Sequence, residues 1–423
     1  MIKSVQEKKS FFAANAILFL LCMFFIITGC DEPVPVGEQT STIQDHVEWL
    51  SHEDLGGRLA GTRGEASAAN YIADQFLQSG LLPAGNDGTY FQQFVLEGPI
   101  PQAMGTENHI SRNVVARIEG TEENGELIIV GAHYDSQGRG GMISMEMSEE
   151  PVIHPGADDN ASGTAGMLWL ADYFSNREPS KDIIFIAFAA EEMGLLGSRY
   201  FAEHMQSAPD NVVAMINLDM IGRMDDNQLT IFGTGTAEQW DDILNDISRD
   251  SLHITRTPAG SGASDHLSFF EVGIPVLHYF TGTHEDYHRP TDTADNINYN
   301  GIRKIAEHAA EVIKALDDKS AAEMGFIEST DPRSTSFDFE GPTLGVLPDY
   351  TYSGAGFRID GIREGDAAER AGIQRGDVIL KMGDFGIGDI YDYMESLSVF
   401  QQGDDIRITI LRNGEEIELE VSF

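Results

Sequence analysis

A chain of 423 residues with 41% hydrophobic content is long enough for two or three domains and can bury a large core. Its formal net charge of −42 opposes binding to nucleic acid or to anionic surfaces, and solubility or a salty habitat explains it more simply than an acidic recognition patch. With Cys22 and Cys30 as the only cysteines, no disulfide framework can hold the body together.

The first thirty residues read as an export signal. Lys3, Lys8 and Lys9 precede an apolar run from Phe11 to Ile27, which ends in Ile27-Thr28-Gly29-Cys30 and a polar stretch beginning at Asp31. This segment is similar to a bacterial lipoprotein signal. The resemblance implies cleavage before Cys30, lipidation of Cys30 and a tether over residues 30–40 that holds the body at the cell envelope, on the periplasmic face or the outer membrane. The alternative is an uncleaved anchor, and both place the body outside the cytoplasm. Cys22 would leave with the signal.

Ser41 and Thr42 are candidate caps for a first helix with Ile43, Val47 and Leu50 on one face, and a second helix is predicted from about Thr62 to Ser79, stopped by Gly80. Short apolar runs follow at Leu127–Val130, Ile183–Phe188, Val212–Ile216 and Ile274–Leu277. They alternate with amphipathic segments at Thr164–Phe174, Leu195–Met205 and Ile302–Leu316. That alternation predicts an α/β fold, a three-layer sandwich around a mixed, mostly parallel sheet, over residues 41–325. Residues 326–338 read as a linker. Beyond it, strand-like runs at Gly356–Ile362, Val378–Met382, Ile406–Leu411 and Ile417–Val421, with a short helix at Asp366–Ala371, predict a small α+β domain over residues 339–423.

Acidic residues and histidines gather where the strand-like runs of the larger domain end. His133 and Asp135 follow the first run, Glu191 and Glu192 the second and Asp219 the third; Asp158-Asp159 lies in a loop and His288 after the last run. Carboxyl ends of strands in an open α/β sheet face one crevice, so these groups are expected to converge. Oxygen and imidazole ligands without thiolate suit hydrolytic zinc, and less specifically manganese or cobalt. Each residue taken singly is as compatible with a structural or solvated role.

Jointly, the motifs His133-Tyr134-Asp135-Ser136, Pro155–Gly163, Glu191–Ser198, Asn217–Met220, Ser264-Asp265-His266 and Asp286-Tyr287-His288 resemble the M28 aminopeptidase family in composition and order. The resemblance implies two zinc ions bridged by Asp158, with His133 and Asp219 completing one site and Glu192 and His288 the other. It implies Glu191 as general base and acid, Asp135 as the group that orients His133, and a cis peptide between Asp158 and Asp159. The reaction implied is removal of N-terminal residues from peptides by activated water; a one-zinc glutaminyl cyclase on the same scaffold, or a non-catalytic peptide-binding surface lipoprotein, are the alternatives.

Some family members place a tyrosine just before Ser-Asp-His to hold the oxyanion, whereas Gly260-Ser261-Gly262-Ala263 has none, leaving Ser261 and Tyr287 as candidates. Residues 142–150 form an acidic, methionine-containing insert, either a lid or an ordinary surface loop. His278 is read as a strand residue and His284 as a candidate for the substrate site.

The second domain resembles a bacterial PDZ domain, chiefly through Asp366–Ile379, where small residues on a short helix lead through a Gly-Asp turn into a strand. The resemblance implies a carboxylate-binding loop at Leu344, Gly345 and Val346 that receives a protein or peptide C-terminus; a folded spacer is the competing reading.

Overall fold

The computed structural model describes residues 42–423 except 123–124, 142, 147–149, 248–251, 330–341, 350–351 and 353. The export run, Cys30, the tether and most of the expected linker fall outside the described residues. Among the described residues no helix is long and apolar enough to cross a membrane.

Among the described residues, nine strands build the first sheet: β1 (Leu82–Pro83), β2 (Phe91–Val95), β3 (Ile110–Ile118), β4 (Leu127–His133), β5 (Asp182–Phe188), β6 (Val212–Leu218), β7 (Gln228–Phe232), β8 (His253–Thr257) and β9 (Val276–Phe280). Their order is β1-β3-β5-β4-β6-β9-β7-β8, with β2 on β3. The centre, β5-β4-β6-β9, is parallel, whereas β3 and β7 join it antiparallel.

Side-chain alternation explains the layering. On β4, Ile128, Val130 and Ala132 enter one core while Leu127 and Ile129 enter another; β5 splits likewise between Ile183, Phe185, Ala187 and Ile184, Ile186, Phe188. A strand apolar on both faces must be covered on both. The first face carries the helices Ile43–Leu50, Arg63–Gln78, Gly163–Ser175 and Tyr299–Asp317, and the second carries Leu196–Glu203 and His266–Phe270. The first helix is capped by Thr42, whose hydroxyl accepts from Asp45 N–H (3.2 Å) while Asp45 accepts from Thr42 N–H (2.7 Å).

The run expected at Ile274 begins as a strand only at Val276, because Ile274 N–H still closes the preceding helix onto Phe269 O (3.1 Å). The sequence pattern did not single out β2 and β3, since both bury polar side chains: Asn113 Nδ2 donates to Gln92 Oε1 (2.9 Å) inside the fold. Residues 326–329, expected in the linker, pack on the first body through Ile327 N–H to Thr236 O (2.8 Å) and Gly260 N–H to Ser329 O (2.8 Å).

The C-terminal sheet comprises β10 (Val346–Pro348), β11 (Phe357–Ile362), β12 (Val378–Met382), β13 (Phe385–Gly386), β14 (Asp405–Arg412) and β15 (Glu415–Ser422). Leu344, Phe357, Ile359, Ile379, Ile408 and Ile410 form a separate core, closed by a helix over Ile390–Leu397 that sequence reading did not single out. Arg412 grips Asp377 with two hydrogen bonds (Nε–Oδ1 2.7 Å, Nη2–Oδ2 2.6 Å), which fixes the Gly-Asp turn before β12.

Candidate metal centre

Four strand ends bring the acidic and imidazole groups together. His133 ends β4, Glu191 and Glu192 follow β5, Asp219 follows β6, and the segment after β9 returns with His288. His133 Nε2 lies 3.2 Å from Asp159 Oδ1 and 3.3 Å from Asp219 Oδ1. His288 Nε2 lies 3.1 Å from Asp159 Oδ2 and 3.4 Å from Glu192 Oε2. Two groups result, His133-Asp159-Asp219 and Asp159-Glu192-His288, each compact enough to close on one cation and joined through the two oxygens of Asp159.

This corrects the expectation for Asp158. Its Oδ1 accepts from Gly222 N–H (2.6 Å) and Ser162 Oγ (3.0 Å), and its Oδ2 faces His284 Nε2 (3.0 Å), so both oxygens are occupied away from either group. Successive residues of this loop point in different directions, and Asp159 is the one turned inward. The cis peptide likewise falls one position later, between Asp159 and Asn160. His284, expected at the substrate site, is instead the partner of Asp158.

Asp135 lies 3.6 Å from His133 Nδ1, beyond hydrogen-bond reach, and its Oδ1 accepts from Glu191 N–H (3.1 Å). It therefore touches both the imidazole and the backbone of the neighbouring acid. His288 is aimed by its Nδ1, 2.9 Å from Ile143 O, and Ser264 Oγ donates to Asp219 Oδ2 (2.6 Å). Ile143 brings the start of the 142–150 insert against the ligand segment.

Two supporting residues carried no sequence signal. Arg58, fully buried, donates to the carbonyls of Leu50, Tyr134 (2.6 Å), Pro155 (2.6 Å) and Gly156 (2.9 Å), tying the segment beside His133 to the one before Asp158. Asp292 accepts from the backbone N–H groups of Asp158 (3.0 Å) and Asp159 (3.1 Å). Each holds segments remote from it in the chain and lies outside the motifs.

The centre opens on a cavity of about 800 Å³ lined by Asp159, Glu191, Glu192, Asp219 and His288, with Ser261 and Tyr287 also on its wall. Tyr287 stacks on His288 with centroids 3.8 Å apart. Beside the centre, His266 and His278 lie parallel at 4.5 Å, and burial pushes the pKa of each down to about 3. Neutral at ordinary pH, they join Phe232 and Phe280 in an aromatic recess of the cavity.

Do these residues fit metal ions? Asp135, Asp159, Glu191, Glu192, Asp219 and Asp265 crowd a nearly dry region around His133 and His288. Burial pushes Glu192 up to about 8, against the opposing pull of His288, and pushes Glu191 well above the usual carboxylate range. Glu192 Oε1 is buried without a hydrogen-bond partner. Like charges packed this closely are stabilised by cations, and the mixed oxygen and imidazole donor set without thiolate fits zinc.

The family model for peptidase family M28 matches residues 113–313, and that for the PDZ domain matches residues 341–423. The chain is 30% identical over 273 residues to the uncharacterized protein YfbL of Escherichia coli strain K12, covering 57% of this chain and 77% of that protein. The chain belongs to peptidase family M28. Aminopeptidase YwaD of Bacillus subtilis strain 168 is 29% identical over 216 residues, 47% of this M28 chain and 43% of that protein. The M28 chain spans less than half the length of the first curated relatives it matches, with 45%, 43% and 42% covered. Its fold is that of the zinc aminopeptidase from Bacillus subtilis (TM-score 0.53, 19% identity, 69% of this chain and 98% of that one).

Proposed function

We propose that this M28 chain is a two-zinc aminopeptidase that removes N-terminal residues from peptides, with Glu191 as general base. The observation that carries the reading is the pair of ligand groups sharing Asp159 on the wall of one cavity, with Glu191 beside both. Zinc ions held by His133, Asp159 and Asp219, and by Asp159, Glu192 and His288, would acidify a water and polarise the scissile carbonyl.

The chain's own residues do the rest. Glu191, mostly buried and raised in pKa, is suited to take a proton and return it to the departing amine. Its backbone N–H is fixed by Asp135, so the carboxyl stays within 4.0 Å of His133 Nε2. Ser264 steadies Asp219, and the neutral recess of His266, His278, Phe232 and Phe280 offers an apolar seat for the first side chain of a peptide.

Two complete ligand groups favour this reading over a one-zinc glutaminyl cyclase. The experiment is metal analysis of the purified chain together with aminoacyl and glutaminyl peptide panels, for the native protein and Glu191→Gln. Two metal equivalents, amino-acid release, and a loss of about 10²–10⁴-fold in the variant with metal retained are expected. One equivalent with cyclised product identifies the cyclase; no metal and no turnover identifies a binding protein. The lipoprotein-like run ending at Cys30 supports export and lipid anchoring, which Cys30→Ser tests by releasing the protein from membranes.

A further inference from the structure

The catalytic cavity is not bounded by the peptidase body alone. Its opposite wall is built by the C-terminal domain, from Pro348, Asp349, Tyr352, Arg358, Asp389 and Ile390. The domain is fastened beside the ligand segment itself: Arg289, next to His288, donates from Nη2 to Ile362 O (3.0 Å), and Thr283 Oγ1 donates to Asp360.

Within that domain β10 is an edge strand, paired antiparallel with β11 on one side. Immediately before it, Leu344 O accepts from Ala368 N–H (2.9 Å) and Gly345 O from Arg363 N–H (2.8 Å). A trans peptide sets its N–H opposite its carbonyl, so the N–H groups of Gly345 and Val346 turn away from the domain interior; that of Gly345 donates to Thr343 Oγ1 (3.1 Å), while that of Val346 points along the outer edge of β10. Gly345, at φ +73°, permits this turn. The outward Val346 N–H and the Thr343 hydroxyl held beside it are donors suited to a peptide's terminal carboxylate.

Direction follows from the order of these parts. A peptide whose carboxylate sits at Thr343 and Val346 and whose backbone adds to the edge of β10 must run antiparallel to it. Its N-terminal side then leaves past Pro348 and Asp349. Those two residues and Gly388, Asp389 and Ile390, at the start of the facing helix, also line the catalytic cavity. The strand-edge trough and the cavity are therefore continuous, and a peptide entering one by its C-terminus presents its N-terminus to the other.

We propose that the C-terminal domain and the peptidase body hold one substrate peptide at both ends, so that the chain acts preferentially on short, unfolded peptides with a free C-terminal carboxylate. The inference rests on the aminopeptidase reading. An extended strand advances ~3.3 Å per residue, so peptides too short to reach from β10 to Glu191 gain nothing from the trough, and much longer ones must buckle.

The test uses the full-length, metal-loaded chain and peptides of about two to about twelve residues sharing one N-terminal residue, each as free acid and as C-terminal amide. A preference for the acid of about tenfold or more in kcat/KM, confined to a window of intermediate lengths, is expected. The Glu191→Gln chain should bind the same acids more tightly than the amides. Val346→Pro, which deletes an outward N–H, should bring the acid-to-amide ratio towards one, with thermal unfolding confirming that the C-terminal domain is folded. Equal turnover of acid and amide at every length overturns the proposal, as does an acid preference that persists unchanged to the longest peptides. Failure to release amino acids from any peptide overturns the aminopeptidase reading instead.

Discussion

Replacing Arg58 by methionine keeps much of the side-chain bulk and removes every donor. The guanidinium donates to four carbonyls, of Leu50, Tyr134, Pro155 and Gly156, in a region closed to water. Hydrogen bonds to a charged group contribute ~1.5–3 kcal/mol each, so four amount to ~8 kcal/mol. Burial opposes this, pulling the Arg58 pKa down to about 10; relief of that penalty returns ~3 kcal/mol. The net loss expected is ~5 kcal/mol, within the range reached when a buried polar network is broken. Because the same carbonyls flank His133 and Asp158-Asp159, metal affinity should fall ~10–100-fold as well. Urea unfolding of the metal-stripped protein measures the first quantity and a competing chromophoric chelator the second. Arg58→Lys, with three donors on one nitrogen, should recover part of each. A methionine variant within about 1 kcal/mol of the native protein, with metal affinity intact, would refute the assignment.

Asp159→Asn should abolish binding of both metal equivalents, whereas Asp158→Asn should retain both with at most ~10–100-fold weaker affinity; the reverse order, read by metal analysis after dialysis, would restore Asp158 as the bridge. His46, buried against the Tyr71 hydroxyl (2.9 Å), has its pKa pulled down to about 4 by burial. The unfolded chain, near pKa 6.5, takes up this proton first, so the contribution of neutral His46 is complete above about pH 6.5 and is lost as pH falls towards 4. His46→Gln should remove ~3 kcal/mol of pH dependence across that window in denaturant titrations, and an unchanged slope would show that His46 does not carry it.

The convergence of the acidic and imidazole groups was legible wherever a motif ties a residue to a strand end. His133, Glu192, Asp219 and His288 stand where the order of motifs implied, because a parallel strand delivers its following residues to one edge of the sheet. The choice between Asp158 and Asp159 was not legible, since the two are chemically identical neighbours. What separates them is direction, set by Gly222, Ser162, His284 and Asp292, which lie between 4 and 134 positions away in the chain. Arg58 was invisible for a similar reason: its partners are backbone carbonyls, which leave no mark in residue types.

Taken alone, the order of apolar runs and ligand-bearing turns was enough for the α/β class, the separate C-terminal domain and most of the centre, because these follow from local periodicity and strand polarity. Tertiary structure decided which aspartate joins the two groups and that Arg58 supports the segments beside them. It also decided that the C-terminal domain forms a wall of the cavity on which these groups open. Those outcomes depend on contacts between segments remote in the chain, where the direction of a side chain is chosen by what packs against it rather than by its neighbours in sequence.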